Sequence, residues 1–164
     1  MNRTLIRQRP EFAEFAVPAL DDVVLRSPLV ADIAVLGRLY FAAYEPGVAA
    51  ESEAEEVDDI RLTFDGSYGV LDGVASRLAW CGDELVGAIL VVERAPWADT
   101  PDCRFIVELF TAVSWRRRGL ARVLLAASAQ AVNGPLALRV ADDNHPARAL
   151  YASCGFTDWA VVRG

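Results

Sequence analysis

Apolar residues recur along this chain in two rhythms, one with the three-to-four spacing of a helix face and one of short, nearly continuous runs. From Asp32 onward, Ile33, Leu36, Leu39, Tyr40 and Ala43 share a helical face until Pro46-Gly47 stops the pattern. An acidic segment from Glu51 to Asp59 opens a second helix, which continues through Ile60 and Phe64. Gly66, Gly69 and Gly73 then mark a loop. Ser76–Trp80 and Leu85–Glu93 read as strands joined by the turn Cys81-Gly82-Asp83-Glu84, and Phe105–Val113 reads as another. From about Arg117, Leu120, Val123, Leu124, Ala127 and Ala131 line one side of a helix that Asn133-Gly134-Pro135 closes. Leu136–Val140 is a short buried strand. Pro146 suits the first turn of a further helix ended by Gly155, and Phe156–Val162 supplies a last strand.

Upstream, Val23-Val24-Leu25 reads as a strand ended before Pro28. Residues 1–22 mix charge with Phe12 and Phe15 and have no periodic pattern. They form an N-terminal extension that covers a sheet edge, joins a dimer or stays disordered. The domain proper is expected over 23–164, one α/β sheet with helices on its faces.

Composition narrows the chemistry. The 164 residues suit a single domain, and 54% apolar with 24% charged residues describes a globular chain. No apolar stretch reaches membrane-spanning length, and the N-terminus lacks the apolar core of a secretion signal, so a cytoplasmic protein is expected. All 16 basic residues are arginine, which excludes a Schiff-base lysine and a P-loop lysine. Cys81, Cys103 and Cys154 lack metal-ligand spacing, and His145 is the only histidine, so no metal site is expected.

Arg116-Arg117-Arg118-Gly119-Leu120-Ala121 stands at the junction of strand and helix, in a chain of net charge −7. A helix start offers unpaired N–H groups and a positive dipole end, which suits a phosphate or pyrophosphate. Glycine allows close backbone approach. The same run also reads as a solvated arginine stretch or a nucleic-acid patch, although the acidic surroundings speak against nucleic acid.

A second stretch bears on that choice. Arg116, Gly119 and Ala121 match the pyrophosphate motif Q/R-x-x-G-x-G/A. Asn144, Ala147, Leu150, Tyr151, Gly155 and Phe156 match Asn-x-x-Ala-x-x-Leu-Tyr-x-x-x-Gly-Phe. In this order the two resemble the GNAT superfamily of acetyl-CoA-dependent N-acetyltransferases. The resemblance implies a mixed, mostly antiparallel sheet of six to seven strands flanked by about four helices. It also implies a V-shaped opening between the family's fourth and fifth strands, here Phe105–Val113 and Leu136–Val140, that takes acetyl-CoA. Phe110, Thr111 and Ala112 then contribute backbone groups to the cofactor's arm. Arg116, Arg117, Arg118, Gly119, Leu120 and Ala121 receive its pyrophosphate, Asn144 binds its arm, and Tyr151 lies near the thioester sulfur. Arg117 stands where the family often has glycine, and Thr111 and Val113 replace a frequent valine and proline.

The implied reaction is direct attack of a primary amine on the thioester in a ternary complex. An alkylammonium of pKa ~10.4 must first lose a proton, at about 4.6 kcal/mol at pH 7. Glu108 is the candidate base, and Tyr151 the candidate acid for the departing thiolate. Each has a plainer reading, Glu108 as a solvated or paired strand residue and Tyr151 as core filling. Asn144 and His145 also suit the cap of the helix at Pro146. The acidic run from Glu51 to Asp59 reads as a solvated helix start or as a device that draws in a cationic substrate. A non-catalytic acyl-CoA-binding or sensing module on the same fold is the rival function. Expected partners are acetyl-CoA and an amine of a small molecule or a protein N-terminus, with no nucleic acid and no membrane.

Overall fold

The computed structural model describes residues 1–8, 16–44 and 52–160. Seven strands make one mixed sheet: β1 (Asn2–Arg7), β2 (Val24–Arg26), β3 (Arg77–Cys81), β4 (Glu84–Val92), β5 (Arg104–Thr111), β6 (Leu136–Ala141) and β7 (Thr157–Asp158), in spatial order β2-β3-β4-β5-β6-β1-β7. Every pairing is antiparallel except β5 with β6. Four α-helices flank it: α1 (Ile33–Ala43), α2 (Glu53–Asp65), α3 (Leu120–Ala131) and α4 (His145–Ser153).

β4 occupies the middle of the helix-covered region, and its sequence says why. Eight of its nine residues are buried, as both faces of the strand are covered. One face packs under α3 in a cluster that includes Val86, Ile89, Leu120, Leu124 and Leu125. The other packs under α1 and α2 through Leu36, Ile60, Ala88, Leu90 and Phe110. Gly87 lets α3 come close, since a Cβ there would lie 3.0 Å from Leu120 Cδ2.

α1 and α2 pack face to face. A Cβ on Gly37 would lie 2.6 Å from the Val57 Cα, so only glycine permits this approach. Ser52 caps α2 by accepting the Glu55 N–H, with Glu53, Glu55 and Glu56 in the first turn. Part of the acidic run is therefore an ordinary helix start. Glu51 and the Pro46-Gly47 stop lie outside the described residues, as do Phe12 and Phe15.

The N-terminal residues are a structural surprise. β1 pairs six residues with β6 and two with β7, so it lies between them. Leu5 joins the core under α3 and α4, Ile6 joins the opposite cluster, and Arg3 bridges Asp142 at 2.6 Å and Asp158 at 3.2 Å. Only two apolar residues in NRTLIR are too few for a period to show.

Several expected boundaries move. The Phe105–Val113 strand ends at Thr111, and Val113–Trp115 is a short 3-10 turn. The helix expected from Arg117 begins at Leu120, after a turn through residues 116–119. It ends with Val132 in extended conformation, so glycine does not cap it directly. Of the last strand, Thr157–Asp158 is paired, and Val161 and Val162 lie outside the described residues.

Candidate active site

β5 and β6 pair in parallel only through Arg104–Leu136, Phe105–Ala137 and Ile106–Leu138. Beyond that point they separate, which leaves the β6-facing edge of β5 from Val107 to Thr111 without a strand partner. On its other edge β5 remains paired with β4, with a bulge opposite Leu90 and Val91. Bulges re-aim side chains, and this one lies where the strands diverge. The result is a cleft of about 490 Å³ between the strands.

Glu108, Phe110, Thr111, Arg116, Asn144 and Tyr151 all line this cleft. The sequence motifs are thus brought to one place from β5, the turn before α3, and α4. Ala112 follows directly and donates its N–H to the Val86 carbonyl at 2.8 Å. Arg117, Arg118, Gly119, Leu120 and Ala121 are not among the residues that line it. They form the entry to α3, next along the chain from Arg116.

That entry has the geometry an anion needs in part. Gly119 is the N-cap in left-handed conformation (φ 82°), and no side chain among the described residues caps the helix start. Arg117 is also left-handed (φ 64°), the conformation that makes glycine favourable there. Leu120 points into the core at 1% exposure, which leaves its backbone as the part able to meet a ligand. The three arginines differ. Arg118 lies over the Trp115 ring at 4.4 Å, whereas Arg116 donates to the Ala43 carbonyl at the end of α1. Arg116 therefore ties α1 to the loop as well as lining the cleft. Residues 16–20 pass across this region: a Cβ on Gly119 would meet Pro18 Cγ at 2.5 Å, and Arg122 donates to the Ala16 carbonyl at 3.0 Å.

Asn144 is the N-cap of α4, its side chain accepting the Ala147 N–H at 3.3 Å. The plainer capping reading therefore holds for Asn144, with the residue still on the cleft wall. His145 is the first residue of α4 and lies on a separate surface hollow with Arg3 and Arg148.

The two proton-transfer candidates share a strongly perturbed setting. Burial pushes the Glu108 carboxyl up to about 8, Asp59 and Glu56 add repulsion, and a hydrogen bond from Tyr40 opposes the rise. Burial also pushes the Tyr151 hydroxyl up to about 12, with Cys154 and Glu108 adding to it. The Tyr151 ring meets Phe156 edge-on at 5.8 Å. Tyr40 and Tyr44, one turn apart on α1, add two more hydroxyls to the cleft wall, both raised first by burial and next by Glu108. Sequence reasoning placed Tyr40 in the core and passed over Tyr44. Their i, i+4 spacing beside the end of a helix was the available signal. Arg139 was also missed: it lines the cleft from β6 with its guanidinium 5.3 Å from the Trp97 ring.

Among the described residues no group of histidine, cysteine or carboxylate side chains is arranged to hold a metal ion. No helix among them is long and apolar enough to cross a membrane.

Comparisons with known proteins agree with this geometry. The sequence model of the acetyltransferase (GNAT) family matches residues 36–156. No curated protein matches significantly. Among solved structures, PH1933 from Pyrococcus horikoshii OT3 is similar at 19% identity with a TM-score of 0.69, over 84% of this chain and 90% of that one. AAC(6')-Iy in complex with the bisubstrate analog CoA-S-monomethyl-acetylneamine is similar at 17% identity and a TM-score of 0.63, over 87% and 95%. An acetyltransferase from Thermus thermophilus is similar at 22% identity and a TM-score of 0.60, over 82% and 86%.

Proposed function

The chain belongs to the acetyltransferase (GNAT) family, and from that premise we propose that it moves an acetyl group from acetyl-CoA to a primary amine by direct attack in a ternary complex. The observation that carries the reading is the parting of β5 and β6 beyond Ile106 and Leu138, with Glu108 and Tyr151 on the walls of the cleft it opens. The pairing of CoA with an amine-bearing acceptor in the AAC(6')-Iy bisubstrate complex supports the same choice of ligands.

The acyl donor's amide-containing arm lies along β5 from Glu108 to Ala112, taking up N–H and C=O groups that lack a strand partner on that side. Its pyrophosphate meets the uncapped start of α3 at Gly119–Ala121, where the backbone supplies donors and the dipole favours negative charge. Arg116, Arg117 and Arg118 add positive charge around it, and Asn144 contributes from the cap of α4.

Glu108 takes a proton from the bound ammonium. The freed nitrogen attacks the thioester carbonyl carbon, a C–N bond forms, and the C–S bond breaks as the tetrahedral intermediate collapses. The departing sulfur receives the proton of the Tyr151 hydroxyl, which is restored from water, and the products are the amide and free CoA. Burial suits both roles: it keeps Tyr151 protonated at neutral pH, and it makes Glu108 a far stronger base than an ordinary carboxylate.

The test is thiol release from acetyl-CoA across a broad panel of amines. Amine-dependent release supports the reading. Acetyl-CoA uptake without release from any amine replaces it with a sensing module, and a melting temperature unmoved by saturating acetyl-CoA removes both.

A further inference from the structure

The cleft carries more negative charge than one proton transfer requires. Glu108 lines it, and the carboxylates of Glu56 and Asp59, from α2, both act on Glu108 and on the Tyr40 hydroxyl. Asp59 is held in place, since its Oδ1 accepts the Tyr68 hydroxyl at 2.6 Å. Glu56 is not. Its side chain is 1% exposed, and its Oε1 has no hydrogen-bond partner among the described residues. Buried carboxylate oxygens are almost always paired, so this one calls for a donor from outside the chain. Its charge reaches the hydroxyls of both Tyr40 and Tyr44, which stand on the cleft wall.

The neighbouring arginines do not answer this charge. Arg116 donates to the Ala43 carbonyl, Arg139 lies against Trp97, and Arg61 pairs with the exposed Asp58. Tyr40 packs against Phe110 and Tyr44, with ring centroids 5.0 Å apart in each case, so the wall between the carboxylates and the cleft is aromatic. Aromatic faces beside carboxylates favour an alkylammonium.

A single amine fits this arrangement badly. Carboxylates around the reacting nitrogen hold its proton and oppose attack. A second ammonium on the same molecule removes the conflict: it takes up the surplus negative charge and, as a like charge, lowers the pKa of the reacting nitrogen. Resting on the acetyltransferase reading above, we infer that the acceptor is an alkyl diamine or polyamine. One nitrogen reacts beside Glu108, and another stays protonated against Glu56 and Asp59 behind Tyr40 and Tyr44. Acceptors with a carboxylate near the amine are disfavoured at the same place.

The test compares 1,5-diaminopentane, 1-aminopentane and 5-aminopentanoate, matched in chain length, by thiol release from acetyl-CoA. The diamine is expected to exceed the monoamine in kcat/KM by about tenfold or more, as close charge pairs in desolvated sites do, with the amino acid below both. Asp59→Asn and Glu56→Gln are each expected to shrink the diamine-to-monoamine ratio. Equal kcat/KM for diamine and monoamine, or a ratio that neither variant alters, overturns the inference while the acetyltransferase reading stands. Should Glu56→Gln fail to fold, Asp59→Asn decides alone, because asparagine still accepts the Tyr68 hydroxyl. If no acceptor is turned over, the diamine is titrated calorimetrically into protein saturated with CoA. Saturable binding weakened by Asp59→Asn upholds the pocket and removes the enzyme; no binding overturns the pocket.

Discussion

Ile106 of β5 and Leu138 of β6 are the last paired position between these two strands, and the cleft opens one residue beyond them. Both belong to the core under α3 and α4, so the point of divergence is fixed by packing on that face. Val107 starts a stretch of β5 whose backbone on that side pairs with no strand, while Glu108 and Phe110 continue to face the α1–α2 layer. A ligand that adds itself as a strand therefore meets a prepared edge and a carboxylate at once.

Tyr151→Phe removes the proposed donor to sulfur and keeps the ring that packs against Phe156. The expected outcome is a fall in kcat of about 10²-fold, at the lower end of the usual acid–base contribution, with CoA affinity retained. Steady-state thiol release and a CoA titration check it. An unchanged kcat removes Tyr151 from the chemistry.

The pH profile reports on Glu108. Its carboxyl is pushed up to about 8, so below that pH it holds a proton and cannot accept another. As pH rises through 8, kcat/KM should climb with two deprotonations, one of Glu108 and one of the amine. Glu108→Gln should lower the rate by about 10²-fold and leave only the amine's deprotonation in the profile. A variant profile that keeps the limb near pH 8 assigns that limb to another group.

Glu56 gives a stability prediction with a definite sign. Burial raises its carboxyl to about 7, above the ~4.3 of an unfolded chain, so the folded state binds the proton more tightly. Its favourable contribution is complete below about pH 4 and is lost as pH rises through 7. Glu56→Gln should therefore stabilise the protein at pH 8 by about 1–3 kcal/mol, the scale of an unpaired buried group, with the gain vanishing near pH 4. Urea midpoints at the two pH values measure it.

The anion loop offers a contrast between neighbours. Gly119→Ala puts a Cβ on a left-handed residue and 2.5 Å from Pro18 Cγ, so stability should fall by about 1–3 kcal/mol and CoA binding should weaken. Arg117→Gly removes a side chain from the same backbone region at φ 64°, and stability should stay within about 1 kcal/mol of the parent. Chemical denaturation of both variants, with a CoA titration of each, separates the two cases.

Much of the frame was legible because burial imposes a period. α1 and α3 carry apolar stripes, β4 is buried on both faces, and each announces itself in the residue order. Glu108 and Tyr151 were reachable through motif spacing. Tyr44, Arg139 and the Glu56 orphan were not, since a polar residue's role depends on what faces it across space.

The residue order by itself determined the helices, the long strands, the glycine at the start of α3 and the family, all of which rest on contacts or conformations local in sequence. Only the tertiary structure decided that residues 2–7 lie between β6 and β7, since pairing supplies the hydrogen bonds and a short mixed-polarity strand carries no period to betray them. It alone decided that Glu56, Asp59 and Glu108 act on one another. They belong to a helix and a strand about 50 residues apart in sequence, and Coulomb interaction depends on distance through space rather than along the chain.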